Sequence, residues 1–213
     1  MEPADIVVPV DSLLLGLHML GAAVFAATGA LVAAQLRQNL VTFGFFALIT
    51  GVGGGTVRDL LIGAPVFWVH DPGAAIMCCV AAVLVWLTPQ KWWSPKALDW
   101  LDAVGLAAYA VFGTAKAMSY GISPFIAALM GIMTACVGGI MRDLLAGQPS
   151  ILLRPEIYVT AAALSAGLYP LLLWQGVASP VAGIIAALAG FGLRAMAMVK
   201  GWALPAYAKG EGR

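Results

Sequence analysis

Charge is what this sequence has least of. Only 10% of its 213 residues are Asp, Glu, Lys or Arg, against 62% that are hydrophobic. A soluble domain keeps about a quarter of its residues charged and has no use for so much apolar surface. The few charges nearly cancel, to a formal net of +1. That excludes the basic footprint on which nucleic-acid binding rests. Cysteine is scarce as well. Cys78, Cys79 and Cys136 lie in apolar stretches, two are adjacent, and no Cys-x-x-Cys spacing occurs. A disulfide framework is excluded, and the three read as small packing residues. The histidines, His18 and His70, stand apart. No metal cluster and no Ser-His-Asp or Cys-His arrangement is readable, so neither catalysis nor a cofactor is expected. The first eleven residues hold Glu2, Asp5 and Asp11 and neither Lys nor Arg. That pattern does not read as a cleavable signal.

What is abundant is apolar sequence in long runs, with a mean hydropathy of +0.95. The runs recur about every 30 residues and are about 20 long, enough to cross a ~30 Å hydrocarbon core as helices. They are continuous rather than alternating, which excludes a transmembrane β-barrel. The expected class is an all-α polytopic membrane protein. Seven spans are expected, at residues 12–34, 40–62, 73–88, 98–118, 123–145, 157–174 and 180–200. Pro65, His70, Asp71 and Pro72 mark a turn between the second and third spans. A proline-bounded linker at 88–96 carries Trp92 and Trp93, suited to the interfacial aromatic belt, with Lys91 and Lys96 for water.

One stretch occurs twice: GVGGGTVRDLLIGAP at 51–65 and ACVGGIMRDLLAGQP at 135–149. A shift of 84 positions aligns Arg58 with Arg142, and eight of twelve positions from Gly54/Gly138 to Pro65/Pro149 are then identical. The same shift pairs His18 with Asp102, Gly21 with Gly105, Phe25 with Tyr109, Gly29 with Gly113 and Thr50 with Thr134. The repeating unit is three spans, 12–88 and then 98–174. Three is odd, so the second unit enters the membrane in the opposite sense. Two inverted repeats plus a seventh helix at 180–200 make one transmembrane domain over 1–213, with a pathway expected at the repeat interface.

The candidate pathway residues follow from the repeat: Thr50, Gly53, Gly54, Gly55, Arg58 and Asp59, then Thr134, Gly138, Gly139, Arg142 and Asp143, with Asp102 and Lys116 from the fourth span. Glycine costs roughly 1 kcal/mol per residue in a helix, and a charge at mid-membrane roughly 2.5–3.5 kcal/mol. The glycines are therefore expected to break the second and fifth helices near Gly53–Gly55 and Gly138–Gly139 and to line a wet path. The alternative is close helix packing, since Gly51 and Gly55 form a G-x-x-x-G. The lysine of a nucleotide-binding loop is missing. Adjacent residues on a helix diverge by about 100°, so Arg58, Asp59, Arg142 and Asp143 are each expected to find a partner other than the sequence neighbour, or water. Together these charges would form a constriction at each mouth, with headgroup snorkelling as the alternative. Depth along the spans brings Lys116 level with Asp59, Asp102 level with Arg142, and His18 level with Arg58.

Orientation follows from basic residues. One side receives Arg37, Lys91, Lys96, Arg142, Arg154, Arg194, Lys200, Lys209 and Arg213; the other receives Arg58 and Lys116. The positive-inside rule then puts the N-terminus outside and the C-terminus in the cytoplasm.

Taken together, GGGTVRDLL with PVFW after it, and VGGIMRDLL followed by RPEIYVTAA, resemble the prokaryotic branch of the trimeric intracellular cation (TRIC) channel family. The resemblance spans about residues 12–200. It implies a homotrimer in the prokaryotic plasma (inner) membrane, surrounded by lipid. Each protomer would carry its own pore, lined by glycine-kinked helices 2 and 5, and would pass potassium or sodium ions, chiefly potassium. The basic motif with which animal members hold a phosphoinositide is absent; GTAKAMS supplies Lys116 alone. Arg58, Arg142 and Lys116 would repel cations unless Asp59, Asp143 and Asp102 neutralise them. A secondary transporter of a small zwitterion such as glycine is the alternative, with Arg and Asp holding carboxylate and ammonium. A scaffold without transport would leave the doubled motif unexplained.

Overall fold

The computed structural model describes residues 12–94, 96–153 and 155–205. The acidic start of the chain, Arg154, Lys209 and Arg213 lie outside the described residues. Seven long helices follow one another: α1 (Ser12–Gln35), α2 (Leu40–Leu61), α3 (Gly73–Leu87), α4 (Ala97–Ser119), α5 (Pro124–Leu145), α6 (Val159–Trp174) and α7 (Ser179–Lys200). The expected turn after α2 holds one further helical turn, Phe67–His70, and short 3-10 turns occupy Gln90–Trp92 and Ile151–Leu153. No strand is present among the described residues beyond an isolated bridge between Glu156 and Ala203.

Local chemistry sets the ends. The Asn39 side chain accepts the Thr42 backbone N–H at 3.0 Å, satisfying a donor that the first turn of α2 leaves open. Prolines begin α5 and α7, where a missing N–H costs nothing. Gly201 closes α7 at φ 67°, the left-handed geometry that a side chain would disfavour.

By length and composition α1, α2, α5 and α7 can each cross a membrane, and α3 and α6 are shorter apolar helices. The chain is an integral membrane protein. Its outward faces present Val41, Leu60, Ile76, Leu129 and Leu188 to the surroundings. α4 is the most charged and the most buried of the long helices. It carries Asp99, Asp102 and Lys116, buries 15 residues, and packs against α1, α5, α6 and α7.

The inverted repeat is visible in how equivalent helices meet. A Cβ on Gly21 of α1 would strike the Tyr109 ring of α4, and one on Gly105 of α4 would stand 3.1 Å from the Phe25 ring of α1. Residue 21 thus opposes 109 while 25 opposes 105, an antiparallel crossing of equivalent helices. α2 and α5 cross the same way. A Cβ on Gly54 would strike the Thr134 carbonyl oxygen, and one on Gly138 would strike the Thr50 carbonyl oxygen. Tyr109 adds a hydrogen bond to the Gly51 carbonyl at 2.7 Å.

This packing corrects one expectation. α2 and α5 run as uninterrupted helix through Gly53–Gly55 and through Gly138–Gly139. The glycines do not break the helices. They remove the side chains that would hold two backbones apart, and the close packing of those backbones along the crossing offsets the cost in helix propensity.

Candidate functional site

The α2–α5 crossing divides the interior into two charged ends. Arg58 lies six residues past the midpoint of the crossing on α2, and Arg142 six residues past it on antiparallel α5. At 1.5 Å per residue the two arginines are about 18 Å apart along the helix axes.

At the Arg58 end, Arg58 is fully buried. Its Nε and NH2 donate to Asp59 Oδ1 at 2.9 and 2.7 Å. The Lys116 ammonium donates to the same carboxylate at 2.9 Å. The Phe67 backbone N–H donates to Asp59 Oδ2 at 3.1 Å. Apolar rings seal the rest. The Arg58 guanidinium sits 5.2 Å from the Phe112 ring centre, and Lys116 Nζ sits 5.6 Å from that of Phe67. His18 stacks on Phe112 at 4.4 Å and meets Phe67 edge-on at 4.6 Å. Its Nδ1 has no hydrogen-bond partner, nor has Arg58 NH1.

The Arg142 end repeats this scheme with different chemistry. Arg142 Nε donates to Asp143 Oδ1 at 2.9 Å. NH1 donates to Asp102 Oδ1 at 2.7 Å and to the Thr28 hydroxyl at 3.0 Å. The Ile151 N–H donates to Asp143 Oδ2 at 2.9 Å. Ile151 is 84 positions beyond Phe67, so both carboxylates cap the equivalent backbone amide. Asp102 Oδ2 and the Tyr158 hydroxyl are both buried and lie close to one another, short of a well-formed hydrogen bond. A Cβ on Gly139 would come within 3.2 Å of that hydroxyl and 3.5 Å of Asp102 Oδ1. A cavity of about 210 Å³ opens beside Arg142 and Asp143, lined also by Val32, Gln35, Asp99 and Gln148.

Among the described residues, the buried charges at the two ends are of opposite balance. Arg58 and Lys116 face one carboxylate, Asp59, whereas Arg142 faces two, Asp102 and Asp143. Desolvating an ion costs several kcal/mol, so pairing of this kind is a condition of keeping these groups charged inside a membrane.

Both opposite-charge contacts that depth allowed, Lys116 with Asp59 and Asp102 with Arg142, are present. One expectation is corrected: Arg58 and Arg142 do bond their neighbouring aspartates. The 100° divergence applies to Cβ directions, and a long guanidinium side chain curls back across it. The glycines at 53, 54 and 138 lie in the crossing, with Gly53 facing the Met141 sulfur and Gly55 facing the Phe67 ring. Thr50 and Thr134 turn their hydroxyls onto their own helices, at the carbonyls of Phe46 and Met130. Sequence reasoning missed Thr28 and Tyr158. Thr28 aligns with Phe112, so the repeat conceals it. The amides of Phe67 and Ile151 were also missed; extending the alignment eight residues past each Asp would have marked the positions.

Comparison with known proteins places this arrangement in company. The family model described as glycine transporter matches residues 15–90 and again 99–174, one match per repeat. A UPF0126 membrane protein of Vibrio cholerae is 38% identical over 177 residues, covering 80% of this chain and 73% of that protein. The UPF0126 inner membrane protein YadS of Escherichia coli K12 is 43% identical over 148 residues, 68% of this chain and 72% of its own. Among solved structures, the TRIC trimeric intracellular cation channel orthologue from Rhodobacter sphaeroides superposes with a TM-score of 0.84. Its identity is 39%, and the match covers 90% of this chain and all of that one. A second structure, described as the basis for conductance through TRIC cation channels, gives a TM-score of 0.79 at 28% identity, covering 92% and 98%.

Proposed function

Because the chain belongs to the TRIC channel family, which the family model described as glycine transporter also covers, we propose that it is a homotrimeric channel for monovalent cations, potassium above all. The observation that carries this reading is the 39% identity across the entire length of a cation channel with the same fold. Each protomer would conduct through its own path, at the interface of the inverted repeats. On that reading Thr50, Gly53, Gly54, Gly55, Thr134, Gly138 and Gly139 form the closed waist. Arg58, Asp59 and Lys116 form one mouth, and Asp102, Arg142 and Asp143 the other. The bias of Lys and Arg toward one side supports an N-terminus outside and the Arg142 end facing the cytoplasm. The name of the relative YadS supports an inner-membrane location.

The carrier reading is favoured by the description of the family model. The geometry weighs against one form of it. Two oppositely charged ends about 18 Å apart cannot together hold the carboxylate and the ammonium of one glycine. Purified protein in a planar bilayer separates the readings. Discrete current steps carried by potassium support the channel. Saturable glycine uptake into vesicles, with no steps, would overturn it.

A further inference from the structure

The 84-residue repeat allows each end to be read against the other. At the Arg58 end the space beside Asp59 is filled by the Lys116 ammonium, 2.9 Å from the carboxylate. The position equivalent to Lys116 in the first repeat is Val32, which has no charge to offer Asp143. What lies beside Asp143 is the cavity of about 210 Å³, and Val32 is part of its wall. The rest of the wall differs in the same direction. Gln148 and Leu98 line the cavity, and their counterparts are Ala64 and Leu14, both buried. Asp99 also lines it, where the other repeat has Leu15.

Charge gives a second, independent indication. Asp102 and Arg142 are each 1% exposed and Asp143 is 8% exposed. Among the described residues, this end therefore buries the carboxylates of Asp102 and Asp143 against the one guanidinium of Arg142. An excess buried charge is costly, and a bound counter-ion removes the cost. No group of three or more His, Cys, Asp or Glu comes together among the described residues. A dehydrated divalent ion, which takes six or more oxygens in the case of calcium, is poorly served. A singly charged ion that keeps part of its water is well served by one carboxylate and the amide oxygens of Gln35 and Gln148.

We propose that this cavity binds one potassium or sodium ion at the Asp143 carboxylate, in the place that the Lys116 ammonium takes at Asp59. The two repeats then hold the same ion pair, with a tethered cation at one end and an exchangeable one at the other. The proposal rests on the channel reading and names where the permeating ion first rests.

Two measurements test it without depending on conduction. The melting temperature of the purified protein is compared in potassium and in N-methyl-D-glucamine chloride at equal ionic strength, the organic cation being far larger than a potassium ion. Potassium should raise it by about 2–4 °C, the scale of a modest ligand effect in a chain of this length. Val32→Lys supplies the missing ammonium and should abolish the difference. No potassium-dependent rise in the unmodified protein, or a full rise in Val32→Lys, overturns the proposal. Crystals of the unmodified protein soaked in rubidium or thallium(I) chloride stand apart from any variant. An anomalous peak beside the Asp143 carboxylate supports the site, and its absence there overturns it. If these fail while potassium current steps persist, the site is wrong and the channel reading stands. If the shift and the peak are found without steps, the site stands and the channel reading is wrong.

Discussion

At the scale of single residues, what decides behaviour is how many partners each buried charge has. Arg142 is held by two carboxylates and a hydroxyl, at Asp102, Asp143 and Thr28. Removing one charge leaves the others present but unequal. Asp102→Asn keeps the shape and leaves Arg142 paired with Asp143 alone, so this mouth loses its excess negative charge and draws cations less strongly. Single-channel potassium conductance should fall several-fold in this variant. Arg142→Ala does the reverse, exposing two carboxylates to the path. Conductance should rise or closure weaken, and stability should drop by about 3–5 kcal/mol because the buried pair is broken. If both variants conduct as the unmodified protein does, these charges hold the fold together and do nothing to the ion. Much of this cluster is legible in the sequence, since inversion and residue depth are enough to pair Asp102 with Arg142 and Lys116 with Asp59. The bond between each arginine and its neighbouring aspartate is not legible there. Cβ directions govern short side chains, and arginine is long enough to ignore them. Thr28 and Tyr158 are illegible for a different reason: neither is conspicuous in composition, and Thr28 has no polar counterpart in the other repeat.

At the scale of elements, the same residue type has two physical roles. Gly54 and Gly138 sit where another backbone passes, and an added Cβ would strike a carbonyl oxygen that cannot swing away. Gly192, in α7, has nothing within 4 Å of the place a Cβ would occupy. Alanine raises helix propensity by about 1 kcal/mol at either kind of site. At Gly54 or Gly138 that benefit is set against overpacking, typically about 1–3 kcal/mol for added methylenes in tight interiors. Gly138→Ala should therefore lower the melting temperature in detergent, whereas Gly192→Ala should leave it unchanged or raise it. A fall of equal size in both would mean that the crossing tolerates a side chain and that the glycines serve some other purpose. The span positions are readable to within a residue or two because bilayer thickness fixes the length of apolar runs. The continuity of α2 and α5 is not readable. Three consecutive glycines look the same in sequence whether a helix is about to break or to be crossed, and only the facing carbonyl of Thr134 or Thr50 distinguishes the two.

At the scale of the whole molecule, inversion makes the backbone nearly two-fold while the charges depart from it. His18 stands where the other repeat has Asp102, and Lys116 stands where it has Val32. These two exchanges convert equivalent ends into one with an excess cation and one with an excess carboxylate, about 18 Å apart on either side of the crossing. On the proposed reading, a cation moving through the protomer would meet attraction at one mouth and repulsion at the other, in surroundings where charge is weakly screened. The open path should therefore pass current unequally in the two directions. In a bilayer with identical potassium chloride on both sides and one orientation of protein, the single-channel current–voltage relation should be curved. Lys116→Gln removes the excess cation and leaves Arg58 paired with Asp59, so the Arg58 end becomes neutral. The curvature should diminish and conductance for ions arriving from that side should increase, while Gly192→Ala should change neither. A straight relation in the unmodified protein, or curvature indifferent to Lys116→Gln, would show that the ion does not pass close to both ends. The conducting path would then have to be sought away from the interface between the repeats.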